Sequence, residues 1–166
     1  METETTLHFF CGKMAAGKST MAKELANRLD AILLTEDDWL AQLYPEEITD
    51  IPSYIKYSAR LKNSLSEHIL ILLSRGLSVV LDFPANTKSQ RNWFRTIFVR
   101  ADVSHVLHFI DASDQLCKQQ LQQRSKDKPQ GAAFTSEADF DAITEYFQAP
   151  LENEGFNLVR YQPQGI

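Results

Sequence analysis

Apolar residues fall in short unbroken runs, separated by longer stretches in which they recur every three or four positions. Leu7 to Cys11, Ala31 to Leu34, Leu77 to Asp82 and Val103 to Ile110 are compact and rich in branched or aromatic side chains, the pattern of strands buried on both faces. Met21, Leu25 and Leu29 share one face of a helix over 18–29. Ile55, Leu61, Leu65, Ile69 and Leu72 give an inner face over 53–74, which Gly76 can close after Arg75. Trp93, Phe94, Ile97 and Phe98 mark a helix over 87–100. Acids at 36–38 favour another helix start, Ser113 or Asp114 can cap a helix over 113–124, and Ser136-Glu137-Ala138-Asp139 reads as a capping box opening 136–148. Residues 44–52, with Pro45 and Pro52, form a loop or broken helix, 125–135 a polar loop, and 156–161 a final strand. Strands alternating with helices predict an α/β fold with a mainly parallel sheet.

Between the first strand and the first helix stands Gly12-Lys13-Met14-Ala15-Ala16-Gly17-Lys18-Ser19, followed by Thr20. The spacing GxxxxGKS in a strand–loop–helix context describes a phosphate cradle. Glycines let the backbone turn tightly and approach a ligand. Successive N–H groups then make a nest for phosphate oxygens, reinforced by the positive end of the following helix. In this pattern Lys18 reaches the β- and γ-phosphates and the Ser19 hydroxyl binds Mg²⁺. Residues 12–20 are therefore the expected binding segment for a nucleotide triphosphate, with ATP and Mg²⁺ as cofactors.

Composition narrows the partners. A chain of 166 residues suits one domain spanning 1–166. A net charge of −5 argues against a nonspecific nucleic-acid binder. Cys11 and Cys117 have no motif spacing, as expected of reduced thiols in a cytoplasmic protein. Residues 1–6 do not read as a signal peptide, and no apolar run approaches a membrane span.

Strand ends add the chemistry, because ligands of such sheets bind at the carboxyl ends of the strands. Asp37 and Asp38 follow the second strand. Asp37 is the expected catalytic carboxylate that orients and deprotonates an attacking hydroxyl, with Asp38 as the alternative base or a plain helix cap. Asp82 ends Val79-Val80-Leu81-Asp82, as a Mg²⁺-side acid would, or caps the next loop. Asp111 is better explained as a cap. Arg124 stands at the entrance of the polar loop, placed as a lid arginine over about 124–135 or as a charge on the helix dipole. Arg91 and Arg95 lie one turn apart and could bind an anion or form a solvated face. Lys126 and Lys128 read as solvated charges, His8, His105 and His108 as core or edge histidines, and His68 as an ordinary helix residue. Trp39 and Trp93 read as packing residues, with Trp39 a potential flank of an acceptor pocket.

Taken together, residues 12–20, the Asp37-Asp38-Trp39 step, Val79 to Asp82 followed by Asn86 and Arg91, His108 to Ala112, and Arg124 resemble the small P-loop kinases of the AAA_33-like group. That group includes polynucleotide 5′-hydroxyl kinase domains, chloramphenicol phosphotransferase-like enzymes and, more distantly, zeta toxins. The segment Phe147 to Phe156 resembles the closing segment of bacterial ATP-binding members. The resemblance implies a three-layer P-loop NTPase sandwich with sheet order 2-3-1-4-5. It also matches Asp37 to the acid that activates the acceptor and Arg124 to a lid arginine. Such lids often carry another arginine one turn earlier, where this chain has Gln120 among Gln119, Gln122 and Gln123.

The expected activity is transfer of the γ-phosphate of Mg·ATP to a hydroxyl on a small molecule or a nucleic-acid end, the latter not favoured by the acidic charge. A nucleotide-dependent binding module or switch with weak hydrolysis is the competing expectation, favoured by the glutamine-rich helix. No base-reading motif separates ATP from GTP.

Overall fold

The structure is a computed structural model in which residues 4–127, 134 and 136–163 are described. Strands β1 (Thr6–Cys11), β2 (Ile32–Thr35), β3 (Val79–Pro84), β4 (Ser104–Ile110) and β5 (Leu158–Tyr161) form one sheet in the order β2-β3-β1-β4-β5. Every pairing is parallel, with Phe9 opposite both Leu81 and Leu107. The helices are α1 (Lys18–Leu29), α2 (Glu36–Leu43), α3 (Ile51–Ser74), α4 (Lys88–Ala101), α5 (Asp114–Ser125) and α6 (Glu137–Thr144). A short 3₁₀ turn covers Glu152–Glu154.

Alternation along β1 separates two packed layers. Leu7, Phe9 and Cys11 enter the main core with Leu61, Leu65 and Ile69 of α3 and Phe94 and Ile97 of α4. Phe10 faces the other way, against Ala22, Leu25 and Ala26 of α1. Near the β1–α1 loop, Ala16 packs with Ile110, Cys117, Leu121 and Phe140. These helices therefore cover both faces of β1 and leave its carboxyl end as the open working edge. Among the described residues no helix is long and apolar enough to cross a membrane. Both cysteines are buried free thiols, and burial pushes the Cys11 thiol up to about 12.

The hydrophobic pattern placed the elements well and their ends less well. β3 begins at Val79, leaving Leu77 exposed. The inner face of α3 is Ser58, Leu61, Leu65, Ile69 and Leu73, while Ile55 is 61% exposed. The buried stripe thus passes through Ser58 rather than Ile55, so a polar residue holds the position that an apolar one was expected to take. The helix starts early, at Ile51, because Asp50 and Ser53 form a reciprocal capping box and Pro52 is tolerated in the first turn. Leu29, at the end of α1, is exposed. α6 stops at Thr144, and the chain leaves it so that the Gln148 N–H can donate to the Asn86 carbonyl at 2.8 Å.

Candidate functional site

The loop from Gly12 to Gly17 is shaped by its backbone. Ala15 has φ 63° and Gly17 φ 107°, and left-handed residues of this kind turn successive N–H groups toward one concavity. Gly12 is tightly enclosed: a Cβ there would lie 3.1 Å from the Ile110 carbonyl oxygen and 3.3 Å from the Ala16 Cβ. The Gly12 N–H donates to Asn86 Oδ1 at 2.9 Å, which ties the loop to the end of β3. Met14 and Ala16 pack inward, and Thr20 is exposed in the first turn of α1. Lys13 points away from the nest, pairing with Asp114 at 2.6 Å and lying 5.7 Å from the Phe147 ring centre.

Lys18 folds over its own loop. Its ammonium donates to the Gly12 carbonyl and, at 3.1 Å, to the Lys13 carbonyl. Burial lowers its pKa, opposed by the charges of Asp82 and Asp37. Ser19 opens α1 beside the end of β3, near enough to Asp82 for its hydroxyl to act on that carboxyl. Burial raises the pKa of Asp82; the Ser19 hydroxyl and Lys18 oppose the rise, and Asp37 and Asp38 add to it. A hydroxyl and a carboxylate near each other beneath a phosphate nest form an oxygen pair suited to a hard divalent cation. Among the described residues no cluster of three or more His, Cys, Asp or Glu could hold a metal without other ligands. Mg²⁺ is held by few protein oxygens, with phosphate and water completing its shell, and Ser19 and Asp82 would supply oxygens of that kind.

Asp37 and Asp38 are both exposed in the first turn of α2. Asp37 stands within electrostatic reach of Lys18 and Asp82, whereas Asp38 registers at Asp82 as the weakest of the groups acting there. Of the two, Asp37 is the one whose charge acts on Lys18.

The other cations have different places. Arg124 is exposed in the last turn of α5, and among the described residues its guanidinium makes no hydrogen bond or ion pair with the loop. Residues 128–133 and 135, which carry most of the expected lid and Lys128, lie outside the described residues. Arg91 is fully buried, neither an anion site nor a solvated residue. It grips both carboxylate oxygens of Glu154 at 2.8 and 3.2 Å and donates to the Ala85 carbonyl at 2.9 Å. Arg95 donates to the Glu154 carbonyl at 2.5 Å and lies 4.2 Å from the Phe156 ring centre. Both arginines fasten the closing segment to α4. Asp111 pairs with Arg160.

Sequence reasoning passed over the most enclosed acid of this edge. Glu36 is 1% exposed; its two carboxylate oxygens accept from the Tyr54 hydroxyl and, at 2.7 Å, from the Ser58 hydroxyl. The available signal was a hydroxyl pair spaced four apart on the inner face of α3. Trp39 is 40% exposed, not a packing residue, while Trp93 is lodged against Phe83 and Phe94 with its N–H on Ser66 at 2.9 Å. His8 Nδ1 lies 3.0 Å from His108 Nε2, and His108 Nδ1 lies 2.9 Å from the Tyr161 hydroxyl, a buried chain rather than a metal site. His105 accepts the Asn157 N–H at 2.9 Å beside β5.

Residues 7–150 match the family model described as an AAA domain. A protein of Chloroflexus aurantiacus, provisionally named a kinase, aligns with a TM-score of 0.74 at 18% identity, over 96% of this chain and 89% of the other. The Mycobacterium tuberculosis APS kinase, solved with AMPPNP and APS, aligns with a TM-score of 0.66 at 20% identity, over 98% and 91% of the two chains. Acinetobacter baumannii shikimate kinase, solved with shikimate, aligns with a TM-score of 0.59 at 17% identity, over 99% and 87%. Likeness at these identities establishes a shared fold. No curated protein matches the chain.

Proposed function

The chain belongs to the AAA domain family over residues 7–150, and from that footing we propose that it is a phosphotransferase moving the γ-phosphoryl group of Mg·ATP to a hydroxyl acceptor. The observation that carries this reading is the left-handed loop at Ala15 and Gly17 with Lys18 folded over it, beside a β3 end where Asp82 is in register with Thr35, two residues before Asp37. A nucleotide-binding fold needs only the loop. A carboxylate on the opposite side of the phosphates is what an alcohol acceptor needs.

In this reading the loop amides and Lys18 hold the phosphates, with Lys18 exchanging its own-loop carbonyls for phosphate oxygens. Ser19 and Asp82 hold Mg²⁺, which supplies charge neutralisation at the β- and γ-oxygens. Asp37 orients the acceptor hydroxyl and takes its proton as the new P–O bond forms. Arg124 approaches the transferring group from the lid side. ATP is taken as the donor after the AMPPNP-bound APS kinase that shares the fold, and the acidic net charge favours a small molecule over a nucleic-acid end as acceptor. A nucleotide-dependent switch is the second reading, favoured by the glutamine-rich α5, where Gln120 stands in place of a second lid arginine.

The test uses Mg·ATP and a panel of hydroxyl acceptors, read by thermal shift and by phosphate transfer. Mg·ATP at a hundred times its Kd should stabilise the protein by about 2.7 kcal/mol, with a further shift from one acceptor class. Lys18→Ala should lower turnover by about a hundredfold or more. Asp37→Asn should keep the nucleotide shift and lose transfer to the acceptor, leaving a measurable residual turnover with water. Unchanged turnover in Lys18→Ala would sink the assignment, and acceptor-independent behaviour throughout would favour the switch.

A further inference from the structure

Glu36 has no part in the chemistry described above, yet it is the most enclosed acid at the working edge. It opens α2, immediately before Asp37. One carboxylate oxygen accepts the Tyr54 hydroxyl and the other the Ser58 hydroxyl at 2.7 Å, both from α3. A buried carboxyl is tolerated only where its oxygens are satisfied, and here both bonds come from one helix. Asp37, by contrast, is exposed at the same helix start. The Tyr54 ring also meets Phe134 edge-on at 6.1 Å, so the same side chain touches the far end of the polar loop. Lys62, one turn beyond Ser58, adds an attractive charge to Glu36.

We infer that Glu36 is a positioning residue that fixes Asp37 toward the γ-phosphate through its paired bonds to Tyr54 and Ser58. The inference rests on the proposed phosphotransfer. Two bonds to two oxygens fix the carboxyl plane, and the plane of Glu36 fixes the direction in which the first turn of α2 leaves β2. Asp37, one residue on, inherits that direction. A displacement of about 1 Å at a reacting group can lower a rate by roughly a hundredfold, so the pair of hydroxyls matters to the rate without touching a substrate.

The experiment measures phosphoryl transfer from Mg·ATP to water in the full chain, for Tyr54→Phe, Ser58→Ala and Glu36→Gln, each alone and combined with Asp37→Asn. Tyr54→Phe and Ser58→Ala are the mild variants, since each removes a single donor and leaves Glu36 in place. The expected result is a kcat about tenfold lower with KM for Mg·ATP within about twofold, since the lost factor acts on the transition state alone. In the Asp37→Asn background the tenfold loss should vanish, because the network acts only through Asp37. Glu36→Gln, which can accept one hydroxyl and donate to the other, should keep more activity than Glu36→Ala, measured beside it. Equal losses with and without Asp37, or a rise in KM in place of the fall in kcat, would show a merely structural clamp and overturn the inference. If the unsubstituted protein shows no Lys18-dependent turnover, the proposed phosphotransfer itself fails, a result distinct from turnover that ignores Tyr54 and Ser58.

Discussion

On the phosphate side of the strand ends, the loop takes its shape from left-handed backbone at Ala15 and Gly17 and from the Asn86 bond to Gly12. On the proposed acceptor side, no residue from 36 to 74 has a positive φ, and the first turn of α2 is tied to α3 by the hydroxyls of Tyr54 and Ser58 on Glu36. One half is thus a backbone site and the other a side-chain site. Backbone sites bind what every nucleoside triphosphate shares, because amide groups carry no side-chain identity. Side-chain sites can be respecified by single substitutions, which is why one fold serves many acceptors. Perturbing each half in turn tests that division.

The largest effect is expected where the phosphate side leans on the closing segment. Arg91 is fully buried and bound to Glu154 and to the Ala85 carbonyl. Arg91→Ala leaves Glu154 and the carbonyl without their partner, and breaking a buried pair from one side is worth about 3–5 kcal/mol. Urea unfolding should show that loss, with a fall in Tm of roughly 10 °C at about 2–4 °C per kcal/mol. A loss below about 1 kcal/mol would mean that the segment is held by Arg95 and packing instead. Arg100–Glu67, an exposed pair at 3.1 Å, is the control and should contribute less than about 1 kcal/mol.

A second effect appears with pH. His8 and His108 are buried side by side on the face covered by α1, and burial lowers both to about 4. The charge of Arg28 acts in the same direction on each ring, and His8 lowers His108 further. The unfolded chain binds protons on these rings below about pH 6.5, while the folded chain resists them until about pH 4. Their contribution to stability is therefore complete above pH 6.5 and is lost as pH falls toward 4, by on the order of 3 kcal/mol for each ring. Denaturant midpoints of the parent and of His108→Gln, compared from pH 7 to 4.5, measure it. A parent that falls no more steeply than the variant would remove the histidine chain from the account.

A direct contrast between the halves comes from Gly12→Ala and Trp39→Ala. The added Cβ at Gly12 meets the backbone oxygen of Ile110 at 3.1 Å, and backbone cannot swing aside as a flexible side chain would. Mg·ATP affinity should fall about tenfold, roughly 1.4 kcal/mol. Trp39, 40% exposed on α2, should change Mg·ATP affinity by less than about twofold and act only on acceptor use. Titration calorimetry with Mg·ATP separates the two. Equal effects would mean that the halves are one site.

This division also explains what could be read from residues alone. The loop was legible because GxxxxGKS states a backbone geometry, and the sheet because continuous apolar strands state burial on both faces. Glu36 was not legible. An acid at a helix start has an ordinary explanation in the helix dipole, and nothing local tells that Tyr54 and Ser58, 18 and 22 residues later, turn their hydroxyls on it. Arg91 and Arg95 misled for the same reason. Their spacing described a shared face, but the anion they meet is Glu154 of their own chain, 63 residues from Arg91. Polar partners distant in sequence are set by tertiary packing, which periodicity does not encode.

The finest test makes one substitution on each side and reads its sign. Ala15 holds φ 63°, and an L-residue with a Cβ is disfavoured in that region by about 1–2 kcal/mol. Glycine removes that strain but frees the unfolded chain by about 0.4–1 kcal/mol, so Ala15→Gly should stabilise the protein by about 0.5 kcal/mol. Ala41 is exposed within α2, where glycine is about 0.8–1 kcal/mol worse than alanine, so Ala41→Gly should destabilise. Opposite shifts in the urea midpoint at constant slope would confirm that conformation, not side-chain contact, governs the phosphate side. Two destabilising shifts would mean that the Ala15 methyl, packed near Ala16 and Ile110, contributes more than its backbone strain removes, and the loop would then be a side-chain site as well.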